Sequence, residues 1–146
     1  MTPVNFKYVS EGMLAVVDPE EGINYGAITS CLTATAVSPD GSKTAIHMVL
    51  VPSEEQTKAS DLFKAFTSIL RDSPTRTDSK VTIAGILDFW DPSYLGLENP
   101  HDMSIEDLLT QELTETCDVP KRNISITPRE DEVTISFSPR GDILFE

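Results

Sequence analysis

The sequence predicts a mixed α/β (α+β) fold, a largely antiparallel β-sheet sandwich with two packed helices. Three observations carry that prediction. A turn sequence, Ser38-Pro39-Asp40-Gly41-Ser42, sits between two strand-like runs. Two stretches, 59–70 and 105–109, repeat apolar residues at helical spacing. Three short β-branched runs close the chain. The resulting order of strands, helix, strand, helix and strands fits one domain over residues 1–146.

Met13-Leu14-Ala15-Val16-Val17 reads as a short apolar strand, closed by the turn-rich Asp18-Pro19-Glu20-Glu21-Gly22. Gly26 to Val51 then reads as one hairpin, with Pro39 first in the turn, Asp40 second and Gly41 in the left-handed third position. Pro52 to Gln56 looks like a helix start, Ser53 capping and Gln56 completing a capping box. Ala59, Leu62, Phe63, Phe66, Ile69 and Leu70 follow the 3.6-residue period, and Ser73-Pro74 stops the helix.

Lys80 to Leu87 is a β-branched run with the character of a buried strand, in which Gly85 allows a close backbone approach. The loop that follows carries the only tryptophan, Trp90, expected to plug an edge of the core. Ser104 caps a second helix with Asp107 three residues on, and Ile105, Leu108 and Leu109 share one face. Ile124–Ile126, Val133–Phe137 and Ile143–Phe145 are the closing strands, the last two joined through Pro139 and Gly141.

Composition narrows the function classes. Apolar content of 39% is ordinary for a soluble chain, and no apolar run approaches the roughly 20 residues that span a bilayer. MTPVNFKYVSEG lacks a basic region followed by an apolar segment, so the expected location is cytoplasmic, or exported without a cleavable signal peptide. A net charge of -13 argues against nucleic-acid binding; it serves solubility in the first place, with a basic protein partner as the other reading. Cys31 and Cys117 match no disulfide framework and are expected to be reduced.

The chemistry lies in the hairpin. Pairing Ser38 with Ser42 sets Thr33 opposite His47 and Cys31 opposite Val49, making Cys31 and His47 diagonal neighbours about 7–8 Å apart at Cα. Ile28, Leu32, Ala34, Ala36, Ile46, Met48 and Leu50 then form a core face. Thr29, Cys31, Thr33, Thr35, Ala45, His47 and Val49 form the other, polar around a thiol and an imidazole. A two-residue loop would shift the register and separate Cys31 from His47. Such a pair can form a thiolate and an imidazolium, giving a nucleophile for acyl transfer at neutral pH. A packed, inert Cys31 in an acidic binding module is the other reading. A zinc site from Cys31, His47, His101 and Cys117 lacks a close ligand pair, so no metal or cofactor is expected.

Ile28-Thr29-Ser30-Cys31, followed after strand, turn and strand by Ile46-His47-Met48, resembles the Cys-His site of the CheD-type chemoreceptor glutamine deamidases. Their motif reads Leu-Gly-Ser-Cys. Their fold is shared with glutamine-deamidating toxins such as cytotoxic necrotizing factor. Ser53 to Glu146 resembles the rest of that family in its order of elements. The resemblance implies a protein-glutamine deamidase acting through a thioester, with Cys31 as nucleophile, His47 as general base and a protein partner that presents a glutamine side chain. Tyr25 stands where the family tends to carry Thr as a third catalytic group. That role falls to Thr29, with Thr33 or a backbone carbonyl as alternatives. Thr29-Ser30 replaces a Gly-containing pair, and the family's paired glycines of the later strand become Ala84-Gly85.

Overall fold

The computed structural model describes residues 5–146. Among them β1 (Asn5–Tyr8), β3 (Glu21–Ile28), β8 (Val133–Phe137) and β9 (Ile143–Phe145) form a sheet in the order β1-β3-β8-β9. A second sheet takes β2 (Met13–Val17), β4 (Leu32–Val37), β5 (Lys43–Met48), β6 (Lys80–Gly85) and β7 (Ile124–Pro128) in the order β2-β5-β4-β6-β7. Both sheets are mixed. The β1–β3 and β6–β7 pairings are parallel, and the other five are antiparallel. With two helices, α1 (Ala59–Asp72) and α2 (Ile105–Glu115), this is the expected α+β sandwich.

Alternation along β4 and β5 builds two cores, one on each side of the five-stranded sheet. Leu32, Ala34, Ile46 and Met48 pack with Phe63, Phe66, Leu109 and Leu113 of the helices. Each fully buried Phe contributes about 1.5–3 kcal/mol. Val17, Ala45 and Ala84 instead meet Ile23, Ile135 and Phe137 across the gap between the sheets. The face expected to be polar is therefore the one the second sheet covers.

The hairpin turn forms as predicted. Ser38 N–H donates to the Ser42 carbonyl at 2.9 Å, Gly41 occupies φ +91°, and Thr33 stands opposite His47. The hairpin is shorter than the sequence suggests. Gly26 to Ile28 belongs to β3 in the other sheet, and the chain bends at Thr29 and Ser30 to cross between sheets. Ile28 consequently joins the inter-sheet core, not the helix-facing one. Strand alternation alone carries no mark of a change of sheet.

A second correction concerns α1, which starts at Ala59 with Lys58 as N-cap and no side-chain cap. Ser53 N–H does donate to Gln56 Oε1 at 2.9 Å, but the pair closes a turn that docks on Gly12. Thr57 N–H donates to the Gly12 carbonyl at 3.2 Å, and Gln56 packs where a Cβ at Gly12 would stand. That docking keeps the segment from continuing into a helix. Ile69 is exposed, and Thr67 takes a buried place on the inner face. The Ser104 cap on Asp107 forms at 3.1 Å. No helix of the described residues is long and apolar enough to cross a membrane.

Candidate functional site

Two chain crossings build the site. β1 and β3 are parallel, so the chain leaves both at the same end of the sandwich to enter the other sheet. Residues 9–12 make the first crossing and residues 29–31 the second. His47, at the end of β5, lies opposite Met13 on one side and Thr33 on the other.

The first crossing is held by His47 twice. Gly12 N–H donates to the His47 carbonyl at 2.8 Å, and the Val9 carbonyl lies 2.9 Å from His47 Nδ1. Val9 is itself fixed to β3 through its N–H on the Asn24 carbonyl at 2.9 Å. Between Val9 and Gly12 the turn presents Glu11, exposed and directed at the dyad. A Glu11 carboxylate oxygen, Cys31 Sγ and a His47 ring nitrogen all lie within 4.8 Å of one another.

The second crossing is held from β6. Ile86 N–H donates to the Cys31 carbonyl at 3.2 Å, and Trp90 Nε1–H donates to the Ser30 carbonyl at 2.9 Å. Gly85, at φ +153°, lets β6 pass so close that a Cβ would overlap the Cys31 carbonyl oxygen. The expected close approach at Gly85 and the expected plugging role of Trp90 thus serve one purpose, seating Cys31.

A carbonyl only accepts, so the Val9 contact assigns the hydrogen to Nδ1 of a neutral His47 and leaves Nε2 with its lone pair. His47 Nε2 is buried and has no hydrogen-bond partner among the described residues. Burial holds the imidazole below its ordinary range, against the Val9 carbonyl and the Glu11 charge, which raise it. Burial likewise pushes the Cys31 thiol up to about 11, with Glu11 adding to the rise and a backbone hydrogen bond from Ser30 opposing it. The resting pair is therefore a neutral thiol beside a neutral imidazole, where the residue types alone suggested a thiolate and an imidazolium.

The expected residues separate on inspection. Cys31 and His47 come together on one face, 5% and 1% exposed. Thr29 is exposed in the bend, and neither His47 nitrogen bonds to it. Thr33 Oγ1 donates to the Ala84 carbonyl at 2.8 Å, so it serves the sheet. Tyr25 meets the His47 ring edge-on at 5.8 Å while its hydroxyl bonds Thr35 Oγ1 at 2.6 Å, supporting the ring by packing. Cys117 lies in the helix-facing core and His101 on an exposed loop, so those two do not join Cys31 and His47.

Glu11 was not singled out by any spacing. The only local sign is a charged residue before a glycine at a strand boundary, which ordinary turns also carry. Glu11 also lines an open surface groove with Tyr8, Ser10, Met13, Ser53, Glu55 and Gln56. No protein-family model matches the chain, and no curated protein matches its sequence significantly.

Proposed function

We propose that this chain is a Cys-His amidohydrolase acting on the glutamine side chain of a protein partner. The observation that carries the reading is the convergence of Cys31, His47 and Glu11 within 4.8 Å, with Nε2 of His47 free to accept a proton. The resemblance of Ser30-Cys31 and His47 to the CheD-type deamidases supports the choice of a carboxamide. The compartment would be a reducing one, the cytoplasm of the producing cell or of a recipient cell.

Because both partners start neutral, attack and proton transfer are coupled. Cys31 Sγ bonds to the carboxamide carbon as its proton passes to His47 Nε2. The Glu11 carboxylate stabilises the imidazolium so formed. His47 returns the proton to the leaving nitrogen, ammonia departs and a thioester remains. His47 then takes a proton from water, the resulting hydroxide opens the thioester, and the Cys31 thiol is restored with a glutamate product. Backbone N–H groups beside Cys31 are the candidate donors to the oxyanion. Cys31 is 5% exposed, so the carboxamide needs local opening around the sulfur to reach it.

One observation favours a second reading, a non-catalytic acidic binding module. Cys31 is 5% exposed within the inter-sheet core, as an inert packed thiol would be. A glutamine-mimicking electrophile separates the two. Alkylation of Cys31 faster than Cys117, lost in His47→Gln, supports the hydrolase, as does ammonia release from glutamine peptides that stops in Cys31→Ser. Equal, His47-independent alkylation of both thiols leaves the binding module.

A further inference from the structure

A thiolate, an imidazole nitrogen and a carboxylate are also the donor types that hold zinc. We propose that Glu11, Cys31 and His47 form a binding site for one soft divalent cation of the zinc class, and that its occupancy closes the Cys31 thiol to other chemistry.

Three features of the site support this assignment. The three donor atoms lie within 4.8 Å of one another. Zinc bonds of about 2.0–2.3 Å in tetrahedral geometry set donors roughly 3.4–3.6 Å apart, so a spread of no more than 4.8 Å asks only small side-chain adjustments to converge on one ion. Among the described residues His47 Nε2 is buried without a partner, while Nδ1 is tied to a backbone carbonyl. That is the outer arrangement of a metal-ligating histidine, in which one nitrogen is oriented by a carbonyl and the other is left for the ion. Glu11 also lines an open groove on the surface, so the carboxylate is the solvent-facing donor of the three. A net charge of -13 favours its approach.

Binding forms one bond from sulfur to metal and releases the Cys31 proton to solvent, with no change of oxidation state. Three protein donors leave a fourth position for water. The inference does not depend on amide hydrolysis, since the donors hold a cation whether or not the protein turns over a glutamine.

The test is titration of the reduced, chelator-treated full chain with cobalt(II) chloride, read by thiolate-to-cobalt absorption in the near ultraviolet. The expected result is a band that saturates at one equivalent, persists in Cys117→Ser, disappears in Cys31→Ser and is bleached by zinc. Glu11→Gln changes only an exposed side chain and should weaken binding by about tenfold or more. Zinc should slow alkylation of Cys31 and leave Cys117 unaffected. Absence of the band, its survival in Cys31→Ser, or unchanged affinity in Glu11→Gln overturns the site. Ammonia release without a cobalt band leaves the hydrolase standing and removes the metal site, and a band without ammonia release does the reverse.

Discussion

The Val9 carbonyl oxygen lies 2.9 Å from Nδ1 of His47, and this one contact decides which ring nitrogen is basic. The same turn takes the His47 main-chain carbonyl through Gly12 N–H at 2.8 Å, so ring and backbone are fixed by one crossing of the chain. The nitrogen left to accept a proton is thereby Nε2, on a ring that has a nitrogen within 4.8 Å of the thiol and the carboxylate.

Nitrogen-15 NMR of the imidazole should find the Nδ1–H tautomer at pH 7, with Nε2 protonating only below the ordinary histidine range. The sign for stability follows. The unfolded chain binds a proton near pH 6.5 while folded His47 resists it, so stability falls as pH drops below about 6.5. An Nε2–H tautomer, or a protonation midpoint above the ordinary value, would contradict the assignment.

Glu11→Gln should act in opposite directions on the two members of the dyad. The thiol loses a nearby negative charge and ionises below its wild-type midpoint of about 11, so Cys31 alkylation at pH 9 quickens. The imidazolium loses the same charge, and ammonia release slows by about tenfold. A faster thiol together with slower turnover is the signature to look for. A change of both in the same sense would remove Glu11 from the proposed mechanism.

Alkaline conditions should destabilise the fold through both cysteines. Burial raises Cys31 and Cys117 alike to about 11, so above pH 9 the unfolded chain sheds protons that the folded chain keeps. Each thiol then weakens the fold by up to about 2–3 kcal/mol as pH approaches 11. Denaturant melts at pH 8 and pH 10.5 should differ accordingly, and Cys117→Ser should lose part of the dependence. A flat profile over that range would count against the burial of both thiols.

Gly85→Ala should cost about 2–4 kcal/mol of stability, because a Cβ at φ +153° meets the Cys31 carbonyl oxygen. Urea melts measure the loss, and selective alkylation reports whether Cys31 has moved relative to His47. Wild-type stability in this variant would mean that β6 does not seat Cys31.

Half of the site was legible from local chemistry. Pro39, Asp40 and Gly41 specify the turn, the turn specifies the register that sets Thr33 opposite His47, and Cys31, just past the end of that ladder at Leu32, comes beside the His47 ring. The same kind of short-range signal gave the Ser104 cap, the inner face of α1 and the close approach at Gly85. The start of α1 is not legible locally, because Ser53 and Gln56 do pair as a capping box would, and only docking on Gly12 diverts them into a turn.

What the sequence by itself determined, then, is the hairpin and the pairing of thiol with imidazole, since turn geometry and side-chain alternation act over a few residues. The tertiary structure decided the rest. It brought Glu11 and the Val9 carbonyl to His47 through a parallel β1–β3 pairing, and it moved β3 into a second sheet whose packing covers the dyad. Burial by that sheet keeps the thiol and the imidazole neutral, a state set by desolvation from a distant segment.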